Sequence, residues 1–325
     1  MGTSAGGVRI AAIACCFLTS GTGARPAGED ESLMRRMTSQ FEHSKIEFQR
    51  AESNIPFIPF AFLGASYYGD ADVDGNGSRK GKDIEYSVTT VSQAAGLPFL
   101  LTDRDALVVG EYVSIADIDI DTDNTDSFTV ATLGLPVGWL RQINPDWQSI
   151  AFVMPIGHRD DRDGSQWTWQ YLGGTFARYV QHDRLWWAFG FYADVGPGDD
   201  FYIPYVGASW SLNERWTISA MMPWPAILYA PDKDWLFRLG ASPSGASWSF
   251  DTQDSSDTTI NLDAWDFGLG AERRLARNVW LGVEVGVGGF RGLRLSGSDV
   301  ESPDLDVSTA AYVDIALKFR PSLSF

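Results

Sequence analysis

Apolar and polar positions alternate along much of this chain with a period of two, and most regularly at its end. From Val313 to Phe325 (VDIALKFRPSLSF) every odd position is Val, Ile, Leu, Phe or Pro, and every even one is polar, charged or alanine. Alternation of this kind makes a strand whose two faces meet different surroundings. Similar runs predict strands over 84–91, 106–116, 128–140, 149–156, 167–180, 185–193, 235–250, 264–273, 280–290 and 307–319. One strand of this type also fits the edge of a soluble sandwich, so the connections between strands have to decide between the two.

The connections fall into two sets. Asn144-Pro-Asp-Trp147, His182-Asp-Arg-Leu-Trp186, Asn213-Glu-Arg-Trp216, Asp232-Lys-Asp-Trp235 and Arg277-Asn-Val-Trp280 are short polar turns that lead into an aromatic residue and a strand. Thr102-Asp-Arg-Asp105 is a sixth turn without the tryptophan. Compact polar turns ahead of strands are hairpin connections. Between them lie longer acidic or glycine-rich stretches at 70–77, 117–123, 159–164, 196–200, 251–257 and 299–306. Short turns at one rim and long loops at the other are the layout of a transmembrane barrel, with the short set in the periplasm. Charge divides the same way: Arg104, Arg141, Arg184, Arg215, Lys233, Arg273, Arg274 and Arg277 lie on the short-turn side, and the opposite loops are acidic.

Six turns with both chain ends on their side give fourteen strands. The expected fold is therefore all-β, an antiparallel up-and-down transmembrane barrel. Its weakest part is the hairpin of Trp216–Met222 and Ala226–Ala230, whose tip holds Pro223-Trp-Pro225. Proline removes a ladder donor and belongs at a strand end or loop. If that segment is one irregular strand, the count falls to twelve.

Composition adds a compartment. Arg9, the apolar run Ile10–Leu18 and small residues up to Ala24 have the form of an export signal over 1–24, too short to span a bilayer. Cys15 and Cys16 are the only cysteines and both fall in it, so a chain cut near Ala24 has no thiol for disulfides. Cutting there removes one base, Arg9, and takes the net charge from −17 to −18, which argues against nucleic acid as a partner. No later apolar run is long enough for a membrane helix, and 13 Trp and 11 Tyr suit strands anchored at a lipid–water boundary. Residues 25–56 are polar and mixed in charge, a segment for disorder or for a plug, and 57–325 form the barrel.

Alternation also assigns faces. Charges at mid-strand are costly toward lipid, so Glu85, Arg178, Asp266, Glu284 and Asp314 are expected to line the interior. Trp147, Trp186, Trp216, Trp235 and Trp280 are expected at the membrane boundary. Asp70, Asp72 and Asp74 match the first half of a calcium loop, but Gly81 stands where a bidentate Glu is needed, so the calcium-loop reading fails and only weak divalent binding is left. No cofactor motif is present. His158 in an outer loop is the one place for a lipid hydrolase site, and no nucleophile motif accompanies it.

The signal, the turn and loop asymmetry, the repeated Trp and the closing aromatic strand together resemble bacterial outer-membrane β-barrels over about residues 57–325. Tyr202–Trp210, Pro223-Trp-Pro225 and Ala311–Phe319 are similar to a family termed domain of unknown function 6268. The superfamily resemblance implies outer-membrane lipid as surroundings and a C-terminal strand read by the barrel assembly machinery. That signal ends at Phe325, or at Phe319 because Arg320 stands where the pattern often has Gly. The expected function is a passive channel for small polar solutes with a preference for cations, from the acidic loops and interior carboxylates. The alternatives are a structural or surface-interaction barrel with a packed interior and a barrel lipid hydrolase.

Overall fold

The computed structural model describes residues 39–41, 43–47, 52–75, 84–121, 127–161, 165–196, 200–222, 224–244, 246–252, 255–296 and 304–320. Within them the chain forms seventeen strand segments and one helical turn at 39–41. In order they are β1 (Ala61–Gly75), β2 (Ile84–Leu100), β3 (Asp105–Asp121), β4 (Phe128–Gly134), β5 (Val137–Asn144), β6 (Trp147–Asp160), β7 (Thr168–His182), β8 (Leu185–Val195) and β9 (Phe201–Ser211). The second half continues as β10 (Trp216–Ser219), β11 (Ala226–Tyr229), β12 (Trp235–Pro243), β13 (Ala246–Thr252), β14 (Ser255–Arg274), β15 (Val279–Ser296), β16 (Asp304–Val307) and β17 (Ala310–Phe319).

Three pairs, β4/β5, β12/β13 and β16/β17, are single staves interrupted once, since each keeps one register against its neighbours across the break. At the first break the cause is Pro136, which has no N–H to give the ladder while its carbonyl still accepts from Gly110 N at 2.9 Å. The wall therefore has fourteen staves, each antiparallel to the next. It closes where β1 pairs with β17, Ala61 opposite Phe319 and Tyr68 opposite Tyr312. Closure leaves no sheet edge and satisfies the backbone internally, which is what a wall in lipid requires.

All six predicted turns connect staves at one rim. In three of them one side chain does the same work. Asn144 Oδ1 accepts from the backbone N–H of Asp146 and Trp147 at 2.9 and 3.0 Å, Asn213 Oδ1 from Arg215 and Trp216 at 2.8 and 3.0 Å, and Asp232 Oδ1 from Asp234 and Trp235 at 2.8 and 3.1 Å. Thr102 Oγ1 plays this part for Arg104 and Asp105. These side chains close the turn before the ladder starts.

Exposure separates the two faces. Leu239, Leu269, Val285 and Ile315 are 57, 57, 51 and 51 % exposed on one side, while Asp266 and Tyr312 on the other keep 5 and 7 %. The apolar side faces out, into lipid. Pairing is deepest between β2 and β3 and between β14 and β15, and shallowest at β10 and β11, four residues each, where the wall is low. Fourteen staves result because those two short segments do pair with β9 and β12.

Candidate functional site

The chemistry of this molecule is inside the barrel, and it differs between the two halves of the wall. On β12, β14, β15, β17 and β1 most of the charged inward groups among the described residues are paired. Arg238 Nη1 donates to Glu284 Oε2 at 3.0 Å, Tyr312 Oη donates to Glu284 Oε1 at 2.7 Å, and Tyr68 Oη donates to Asp266 Oδ2 at 2.5 Å. The Tyr68 and Tyr312 rings stack with centroids 5.2 Å apart. Nearer the short turns, Glu272 takes Lys318 at 2.8 Å and Arg320 at 2.6 Å. Glycine makes this layer possible: a Cβ on Gly268 or Gly286 would run into Tyr312, which lies flat on the wall over both.

On β6–β9 the inward groups are rings. Two adjacent rows cross the wall in register, Phe152–Gly174–Tyr192–Ile203 and Ile150–Phe176–Gly190–Tyr205. Phe152 and Phe176 stack at 6.0 Å, and Phe176 meets Tyr205 edge-on at 4.9 Å. Gly174 and Gly190 alternate with the rings because a Cβ at either would collide with Phe176 or with backbone. Farther out, Thr132 Oγ1, His158, Gln170 and Asp194 form a hydrogen-bonded chain across the same wall, with 3.0 Å from Thr132 to His158 Nδ1 and 2.6 Å from Gln170 to Asp194.

The described residues ahead of β1, 39–41, 43–47 and 52–60, lie at the short-turn mouth and form a strap there. Phe41 and Ile46 are buried against Ala106, Leu100 and Leu140. The Glu47 carbonyl accepts from Gln148 Nε2 at 2.5 Å and from Arg178 Nη1 at 3.0 Å, and Glu47 N donates to Gln142 Oε1 at 3.0 Å. On the far side Asn54 N donates to the Glu214 carbonyl at 2.7 Å, Ile55 packs on Ala230, Leu236 and Trp280, and Arg320 donates to the Phe57 carbonyl. Lys45 and Asp103 pair at 2.5 Å at the rim, and that hydrogen bond holds the Asp103 carboxyl below its usual range.

The expected interior residues Arg178, Asp266, Glu284 and Asp314 all point inward. Arg178 reaches the strap and lies over the Trp186 ring at 5.0 Å, and Asp314 lies opposite Glu284 in register. Glu85 does not join them. It is exposed and shares the outward face with Val91, Leu97 and Phe99, opposite Asp72 and Asp121, near the outer end where a carboxylate can face water.

The tryptophans divide too. Trp147, Trp216 and Trp235 start their strands and face outward beside Tyr179, Tyr229 and Arg273. Trp186 and Trp280 are the second residues of β8 and β15, so the same alternation turns them inward, and Trp280 is buried under Arg320. Trp187 takes the outward position in place of Trp186 and donates to Gln181 at 2.8 Å. Phe319 sits at the closing seam, between Ala61 and Val279. Phe325 lies outside the described residues, as do the signal and residues 25–38.

Asp70 and Asp72 are exposed, and the Asp74 side chain lies outside the described set. Among the described residues no three His, Cys, Asp or Glu side chains come together to hold a metal ion. The aromatic rows and the mouth-crossing segment carried no sequence motif. The signal for the rows was the inward glycines facing inward rings on adjacent strands, visible only once register is known.

No family model matches this chain, and no curated protein does. Among solved structures it is similar to the TodX monoaromatic hydrocarbon channel in a deltaS2 mutant form, with a TM-score of 0.45 and 10% identity over 82% of this chain and 91% of that one. A FadL homologue of Pseudomonas aeruginosa gives 0.42 and 10% over 80% and 90% of the two chains. An outer membrane channel from Pseudomonas putida F1 gives 0.41 and 10% over 85% and 100%. A closed antiparallel wall with an apolar outer band, aromatic residues at its rim and short turns on one side is the build of a transmembrane β-barrel.

Proposed function

We propose that the barrel is a passive channel for small apolar or weakly polar organic molecules, held closed at the periplasmic mouth by residues 39–41, 43–47 and 52–60. The observation that carries this is the pair of inward rows of rings and glycines on β6–β9, which give a solute a flat aromatic surface. Fourteen staves enclose more space than their own side chains fill, which leaves room for a solute or a plug. The charged half gives no support to a cation pore. Glu272 and Glu284 already have Lys318, Arg320 and Arg238 beside them, and Asp266 accepts from Tyr68. Preference for cations needs unpaired interior carboxylates, and of the expected residues that do point inward only Asp314 lacks a hydrogen bond among the described residues.

The same pairing, with the strap across the mouth, favours one second reading, a barrel whose interior is packed and passes nothing. Deleting residues 39–47 separates the two. In a channel, uptake of a small aromatic alcohol by outer-membrane-intact cells rises severalfold over wild type. In a packed barrel the deletion leaves uptake at the level of cells without the protein.

A further inference from the structure

The outward face carries one anomaly. Between the two rims, Glu111 is the only charged side chain directed toward lipid among the described residues, and Gln93 beside it is the only amide. Both face away from the interior: Glu111 shares its side with Val109 and Val113, and Gln93 shares its side with Val91 and Leu97. On β3 the carboxylates of Asp105 and Asp117 mark the rims, and Glu111 is six residues from each. At the tilt of barrel strands that is roughly 15 Å from either, near the middle of a hydrocarbon band about 25 Å tall.

A hydrocarbon chain offers this pair neither donor nor acceptor. Gln93 Nε2 donates to Glu111 Oε2 at 3.4 Å, a long bond that uses one of the two amide hydrogens and one carboxylate oxygen. The remaining amide hydrogen and carboxylate oxygen are complementary to each other. They cannot meet within one chain, but two copies facing each other across a twofold axis bring each Gln93 to the partner's carboxylate. The surrounding surface permits the approach. Ala61, Ala95 and Glu111 lie in one row across β1–β3, and Ala65 and Ala131 stand on the same face nearby, so the wall is low along the Glu111 row, beside the larger Leu63 and Val113 that flank Gln93. Small residues flanking a polar contact are how membrane-embedded surfaces come close.

We propose that the outward face of β1–β4 centred on Glu111 and Gln93 is the contact between two copies of this chain. The contact is isologous, as in most twofold assemblies.

Site-directed cysteine crosslinking of the full chain in liposomes tests this, in a background with Cys15 and Cys16 replaced by serine. Ala95→Cys is expected to give an oxidised dimer, and Val285→Cys, outward on β15 and outside the proposed contact, is expected to stay monomeric. Glu111→Leu and Gln93→Leu should each lower dimer affinity roughly tenfold, the effect of losing paired hydrogen bonds inside a membrane, while the heat-modified gel shift still reports a folded barrel. A monomer at every concentration would overturn the proposal. So would an Ala95→Cys crosslink only to some other protein, or a dimer indifferent to both leucine substitutions. Should Glu111→Leu fail to fold, the contrast between Ala95→Cys and Val285→Cys decides the matter alone.

Discussion

The two halves of the interior solve one steric problem with different chemistry. On β14 and β15, Gly268 and Gly286 let Tyr312 lie flat, and the space above is filled by Glu284, Arg238 and Tyr68. On β7 and β8, Gly174 and Gly190 let Phe176 lie flat, and the space is filled by Phe152 and Tyr205. The glycine-under-ring device is the same. One half ends as a paired-charge network that locks the wall, the other as an apolar surface that a solute can touch. On the proposed function, stability and passage fall to opposite sides of one barrel.

The largest effect that would sharpen this contrast comes from the charged half. Glu284→Ala strands the Arg238 guanidinium and removes the acceptor of the Tyr312 hydroxyl. Because this pair is about a quarter exposed, the expected loss is roughly 2 kcal/mol, below that of a fully buried pair. Urea titration of the gel shift should show it, and Arg238→Met in the same chain should restore part of it. Phe176→Ala on the other half removes a ring without stranding a charge. Here a loss of about 2 kcal/mol is accompanied by a fall in aromatic-solute uptake that Glu284→Ala does not produce. Equal uptake in the two variants would erase the distinction between halves.

Smaller effects come from the strap, which touches the aromatic side through Arg178 and the charged side through Arg320. Arg178→Ala should cost about 1 kcal/mol of strap docking, read as faster proteolysis after residue 47. The smallest effect is a pH dependence at Lys45–Asp103. The Asp103 carboxyl is held below its usual range by Lys45, so its contribution is present at neutral pH and is lost as pH falls through that lowered value. Strap cleavage should therefore quicken only in acid, and Lys45→Met should remove the dependence.

Much of the wall was legible because alternation is a local property. The six turns, the fourteen staves and the lipid face of Val313, Ile315 and Leu317 follow from residues close in sequence. Where sequence reading missed, a single residue of phase was the cause. Trp186 and Trp280 follow their turns much as Trp147 does, yet they stand second in their strands, and one step of alternation turns them inward. Glu85 was assigned by cost at mid-height, but it sits at the outer end, where that cost vanishes. The pairings Arg238–Glu284 and Tyr68–Asp266 join residues 46 and 198 positions apart, and no local pattern carries them. The cation preference expected from unpaired carboxylates loses its support for this reason.

The central claim is that the aromatic half serves solutes. It is tested most directly by the relative uptake of labelled benzyl alcohol and arabinose, molecules of similar size, in de-energised cells with an intact outer membrane. Expression of the protein lacking residues 39–47 should speed the aromatic alcohol several times more than the sugar, and Phe176→Ala in that chain should abolish the difference. Equal acceleration of both, or a greater one for the sugar, would contradict the account.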